Sequence, residues 1–412
     1  MSETTVTSDS GDTFVFNPFA PGFVDDPYPH YAELREADPV HEHPLGFWML
    51  SHYEDVTALL RSGLSVEERN AGPSPIREMY EAAAGGRGRR GNGLSMLDKD
   101  PPDHTRLRRL VSKAFTPRAI GALAPRVIEL VDAALERIER AGSVDLVEEL
   151  AYPLPFAVIS EMLGMPPTDH ARLRELAGTM VRSLEPVNDP ELVAAIAEAD
   201  SELTARTAEV VAAKRRDPGD DLLTALIAAE DNGDVLGDEE LVAQVVLLYV
   251  AGHETTVNLI ANGVLALLRN PEQLELLRSR PDLAANAVEE LLRYDSPVQM
   301  SRRITLAPYT VADREIPAGA FVLASLASAN RDEGYWGSDA AALALDRPNA
   351  RAHVSFGGGP HHCLGAALAR LEGRIAIDRL VRRFPALSLV GVVQWNGRLN
   401  LRGPVALPVA VH

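Results

Sequence analysis

Apolar residues recur at helical spacing through most of the chain. The repeats predict helices over residues 26–37, 53–61, 119–142, 147–163, 169–184, 190–216, 222–230, 238–269, 281–294 and 366–384, with Pro and Gly where the patterns stop. The 238–269 run is the longest, about 48 Å at ~1.5 Å per residue, and its centre is so apolar that burial is expected. Period-two alternation is rarer. It predicts a hairpin over 40–50 around Pro44 and Gly46, an extended segment over 296–305, and short strands over 309–323 around Pro317-Ala318-Gly319. The fold class is therefore mainly α with small β-sheets. Between 62 and 99 neither period holds, and 82–93 is dominated by Gly and Arg. So long an irregular stretch is either functional or a disordered insertion. No repeat or linker divides the rest. The expected organisation is a flexible tail over 1–14 and one domain over 15–412.

Composition narrows the function classes. A net charge of -19 argues against general nucleic-acid binding. The single cysteine cannot close an intrachain disulfide, so nothing points to secretion. The first 13 residues are polar, without the apolar run of a signal peptide. The longest apolar stretch, 245–251, is too short to span a bilayer. A cytoplasmic protein without membrane contact is expected.

The candidate chemistry gathers around that one cysteine. Phe356-Gly357-Gly358-Gly359-Pro360-His361-His362-Cys363-Leu364-Gly365 runs straight into a helical pattern. A glycine-rich turn lets backbone approach a large ligand. A thiol just before a helix sits where the helix dipole favours an anion. Two other readings compete: a small buried hydrophobe, or a metal site of His361, His362 and Cys363. Three adjacent side chains diverge, however, and zinc sites space their ligands more widely. A second unusual site lies mid-way along the 238–269 run, at Ala251-Gly252-His253-Glu254-Thr255-Thr256. Gly and Thr are poor helix-interior residues, and a buried acid is costly. The run reads as a functional bulge or as a satisfied kink. His104 and Arg108, four apart, share a helix face. Glu290 and Arg293, three apart, do the same.

Phe356-x-x-Gly359-x-His361-x-Cys363-x-Gly365 resembles the haem-binding loop of the soluble bacterial cytochromes P450, the haem-thiolate monooxygenases. The other motifs follow in that family's order. The resemblance implies haem b with the Cys363 thiolate as axial iron ligand. It implies that Glu254 and Thr255 serve dioxygen and proton delivery. Propionate contacts would come from His104, Arg108, Arg303 and His353. Glu290 and Arg293 would form a structural ion pair behind the haem. Leu248, Ala251, Gly252, Val298, Gln299 and Met300 would line the substrate pocket. One departure stands out: the arginine that completes a triad with the Glu290–Arg293 pair aligns with Ala342. That partner is missing or supplied elsewhere, and backbone carbonyls are expected to take its place.

By the same resemblance the reaction inserts one oxygen atom of O2 into a hydrophobic small molecule, such as a macrolide or other polyketide, a terpenoid or a steroid. The chain has no room for a reductase domain. Electrons would come from a separate ferredoxin or flavodoxin and its reductase, with NAD(P)H as the ultimate donor. Arg106, Arg109, Lys113, Arg370, Arg374 and Arg382 are the expected docking charges, or else a solvated helix face. A monomer is expected. The rival functions are a peroxygenase using hydrogen peroxide and a non-catalytic haem-binding sensor.

Overall fold

The structure is a computed structural model and describes residues 14–84, 94–166, 170–185, 189–231 and 233–412. Most of the expected tail and residues 85–93 of the Gly- and Arg-rich stretch lie outside the described residues.

Helices dominate, and several predicted runs divide at their prolines. The 119–142 pattern becomes Pro117–Ala122 and Ala124–Ala141, and the 147–163 pattern becomes Val147–Ala151 and Pro153–Met162. Proline suits the first turn of a helix because its missing N–H has no intrahelical partner there. Besides short turns, two longer helices were not expected. Pro75–Ala84 falls inside the stretch without a clear period, and Pro271–Ser279 follows the long run directly.

The largest departure is the long run itself. It forms two helices, Asp238–Ala251 and Glu254–Arg269, separated at Gly252 and His253. The first closes with Gly252 N–H donating to the Leu248 carbonyl at 3.0 Å. His253 then takes φ -101 and ψ -72, off the helical path. The break sits at the Gly of the 251–256 motif, where the helix-breaking residues concentrate.

Helix Ala366–Arg383 is the spine of the molecule. It packs on Ala124–Ala141, Glu254–Arg269 and Ala284–Tyr294. Two glycines let it approach closely. A Cβ at Gly373 would come within 2.9 Å of Leu259 Cδ2, and one at Gly263 within 2.9 Å of Ile377 Cδ1. The main core surrounds this helix, from Leu107 and Leu110 to Ile375 and Leu380.

The predicted hairpin forms as Val40–His43 and Phe47–Leu50. It joins a four-stranded sheet in the order Val40–His43, Phe47–Leu50, Phe321–Ser325, Met300–Ile304. The middle pair is parallel, with Phe47 opposite Phe321. A second core lies under this sheet and holds Leu59 and Leu60 of helix Tyr53–Arg61 against Val322 and Val354. Among the described residues no helix is long and apolar enough to cross a membrane.

Candidate functional site

The cysteine loop is folded by its glycines. Gly357 and Gly359 have φ of 68 and 64, a region costly for other residues. Gly359 also lies against helix Tyr53–Arg61 so closely that a Cβ would strike the Leu60 carbonyl. Cys363 N–H donates to the Phe356 carbonyl at 2.9 Å, which closes the loop. The Cys363 residue surface is open. Protein packed around the sulfur still pushes the thiol up, opposed by the N–H groups of Gly365 and Ala366 and the charges of Arg108 and Arg370. Those two N–H groups belong to the start of helix Ala366–Arg383, as expected for a sulfur placed at a helix N-terminus. Among the described residues no group of three or more His, Cys, Asp or Glu could hold a metal ion, which leaves the adjacent His361, His362 and Cys363 without a zinc-type arrangement.

Four basic side chains gather beside this loop. The His104 and His361 rings meet at a tilt of 38° with centroids 4.0 Å apart. Arg108 donates to the His362 carbonyl at 2.7 Å. Arg303 is 3% exposed, and its guanidinium reaches the Ser301 hydroxyl and the Arg302 carbonyl. The His104 Nδ1 is buried without a partner. Burial and the charges of His104, Arg303 and Arg108 push His361 down to about 3. Burial and Arg302 push Arg303 down to about 10, against the pull of Asp100. Among the described residues neither Arg108 nor Arg303 has an ion-pair partner, so this cluster calls for an anion. The two propionates of haem, with its iron on the thiolate, fit that donor set. His353 stands apart from the cluster. Its Nε2 meets Glu289 Oε2 at 3.1 Å and its Nδ1 accepts the Ser355 N–H at 3.1 Å, so both nitrogens are engaged within the protein.

Phe356 packs on Leu259 of the central helix pair, one turn beyond the break. At the break, Thr255 Oγ1 donates to the Ala251 carbonyl at 3.0 Å. A hydroxyl that donates to backbone keeps its lone pairs free to accept from a ligand. Glu254 is held by Arg398 Nη1 at 2.8 Å. His253 is 2% exposed, lies edge-on to the Tyr152 ring at 4.2 Å, and is pushed down to about 3 by burial and then Arg174.

The pocket candidates divide. Ala251 is exposed, Gly252 and Val298 are half-buried and Leu248 is buried. Gln299 is 2% exposed, its amide bonded to the Tyr31 hydroxyl and the Ser296 carbonyl. Met300 packs on the cluster of Phe16, Phe23 and Tyr31. Gln299 and Met300 are therefore engaged with the N-terminal segment.

Behind the loop, Glu290 and Arg293 are both fully buried. Arg293 grips the carboxylate through Nε at 2.7 Å and Nη2 at 2.6 Å. It also donates to the carbonyls of Asn330, Ala340 and Ala342. The expected backbone partners are thus present, but the third charged member is present too. Arg347 Nε lies 3.2 Å from Glu290 Oε1 and its guanidinium also binds Asp339. Alignment on Ala342 missed it because the guanidinium enters from five residues further along. Sequence reasoning also passed over Glu289, which burial pushes up but His353 and Arg370 hold at about 2. Arg370 spans Glu289 and the Phe356 ring, 4.5 Å from its centre.

A family model described as Cytochrome P450 matches residues 188–393. The chain is 41% identical over 400 residues to cytochrome P450 107B1 of Saccharopolyspora erythraea, covering 95% of this chain and 96% of that protein. It is 41% identical over 402 residues to the vitamin D(3) 25-hydroxylase of Pseudonocardia autotrophica, covering 95% and 96%. Among solved structures, the bacillaene polyketide synthase cytochrome P450 PksS of Bacillus subtilis 168 superposes with a TM-score of 0.86 at 35% identity, covering 96% of this chain and 100% of that one. The chain belongs to the cytochrome P450 family. It is a monooxygenase of that family, whose members bind haem through a cysteine thiolate.

Proposed function

We propose that this protein holds haem b through the Cys363 thiolate and inserts one oxygen atom from O2 into a hydrophobic small molecule. The observation that carries this reading is one cysteine with an open residue surface at a helix N-terminus, beside two histidines and two arginines without carboxylate partners. Haem bound there supplies the activation of dioxygen. The chain supplies the rest. Arg108 and Arg303 offer the positive charge that anchors propionates, and His104 and His361, which burial keeps neutral, offer ring N–H donors beside them. Thr255 offers a hydroxyl and Glu254 a carboxylate beside the break, for proton delivery. Ala251, Gly252 and Val298 offer a small apolar lining.

The substrate class is a polyketide, terpenoid or steroid skeleton. Support comes from the apolar pocket candidates and from relatives whose names give a vitamin D(3) 25-hydroxylase and a polyketide-synthase P450. Electrons come from a separate ferredoxin or flavodoxin. Its docking face is leaner than the sequence suggests. Arg106 pairs with Asp234 and Glu240, Arg370 with Glu289, and Arg382 with Asp378. Arg374 is exposed, and Arg351, its side chain 80% exposed, reaches Glu289 only at 3.5 Å, so these two charges face outward most freely.

The test is the spectrum of the reduced, haem-loaded protein under carbon monoxide. A thiolate-type band is expected and should vanish in Cys363→Ser. A band that persists in that variant overturns the assignment. Turnover with a surrogate ferredoxin system and NADH, against turnover with hydrogen peroxide alone, decides the oxygen source.

A further inference from the structure

The turn at 396–401 carries more connections than a surface turn needs. Arg398 Nη1 reaches Glu254 Oε1 at 2.8 Å, with both side chains 15% exposed. The next three backbone amides all donate to one carboxylate. Leu399 N–H and Asn400 N–H reach Glu185 Oε2 at 2.9 Å each, and Leu401 N–H reaches Oε1 at 2.8 Å. Glu185 is 4% exposed. It ends the single turn Val181–Leu184 that continues helix His170–Met180. Asn400 adds a second tie through Nδ2 to the Leu184 carbonyl at 3.2 Å. Its backbone and side chain also accept the N–H groups of Gln299 and Met300, at 2.8 and 3.1 Å.

A buried carboxylate is costly unless its oxygens are satisfied. Three consecutive amides satisfy this one, and their convergence fixes the backbone from which the Arg398 side chain leaves. A long arginine side chain has much rotamer freedom to lose, so an anchored backbone lowers the cost of holding it on Glu254. Whatever moves Glu185 therefore changes the freedom of Glu254, the acid at the break of the central helix pair.

We propose that Glu185 is a positioning residue that couples the Val181–Leu184 segment to Glu254 through the 399–401 amides and Arg398. With the segment in place, Glu254 is held as a paired carboxylate. When the turn loosens, Arg398 lets go and Glu254 loses its fixed place beside the break. The functional half of this coupling rests on the monooxygenase reading; the mechanical half does not.

The experiment uses the haem-loaded protein. Glu185→Gln can offer only one acceptor oxygen, so amide hydrogen exchange at Leu399, Asn400 and Leu401 should quicken by about tenfold or more. Glu185→Asp keeps the charge and should recover part of the protection. Product formed per NADH should fall in Glu185→Gln and in Arg398→Ala, and the double variant should be no worse than Arg398→Ala alone. Unchanged exchange at the three amides overturns the proposal. So does faster exchange with unaltered coupling, or a double variant whose loss is the product of the two single losses. Exchange is read without turnover. Loss of the thiolate carbonyl band would therefore overturn the Cys363 assignment without touching the clamp.

Discussion

At the scale of single residues, the site rests on side chains whose company the sequence shows unequally. Thr255 keeps its acceptor lone pairs while donating to Ala251. Thr255→Ala should leave substrate binding intact and divert reducing equivalents to hydrogen peroxide, read as product per NADH. Glu372 offers a test by pH. Its side chain is buried, one carboxylate oxygen lacks any partner, and burial alone raises it from 4.5 to about 8. The folded state thus keeps a proton that the unfolded chain releases above 4.5. The stability this group contributes is complete below that pH and is lost as pH climbs through about 8. Glu372→Gln removes the titration. Chemical unfolding from pH 5 to 9 should show the parent chain losing stability relative to the variant as pH rises. Cys363, His104 and Arg108 were legible because motif and spacing are local. Arg398 and Glu185 were not, because their partners lie 144 and about 215 residues away, and neither stands in a repeated pattern.

At the scale of elements, hydrophobic period set most helix limits, and the misreadings have physical causes. The 238–269 run keeps its apolar period through Gly252 and His253, so periodicity alone cannot reveal the backbone break. The Pro75–Ala84 helix was hidden by the Gly- and Arg-rich stretch that follows it. The buried ion pair shows where element packing becomes energetic. Arg293→Ala would leave the buried Glu290 with the Ala344 N–H and, as its one charged partner, Arg347, at a cost of about 3–5 kcal/mol. Arg347→Ala leaves the Arg293 fork in place and should cost clearly less. Denaturant unfolding of the two variants orders these effects, and equal losses would contradict the geometry. Gly373→Leu should cost about 1–3 kcal/mol by overpacking against Leu259, checked in the same assay.

At the scale of the whole molecule, the helical majority with a small mixed sheet was readable from the counts of each period, whereas sheet order was not. Two behaviours belong to the entire protein. Apolar polyketide, terpenoid and steroid compounds should include some that shift the haem band from low to high spin, and a panel that shifts nothing argues against that substrate class. Charge reversal at Arg351 and Arg374 together should slow reduction by a ferredoxin, more at low salt than at high salt. The parallel pairing of Phe47–Leu50 with Phe321–Ser325 has a further consequence, in time rather than space. Strand Phe47–Leu50 is made early, but its parallel neighbour leaves the ribosome only after most of the chain has been synthesised. Such long-range pairing is slow to close. Leu60 backs Gly359 from beside that sheet, so the cysteine loop gains its support late. The protein should therefore take up haem only after synthesis is essentially complete, and Val322→Ala, which weakens the packing under this strand pair but spares Cys363, should slow haem uptake on refolding.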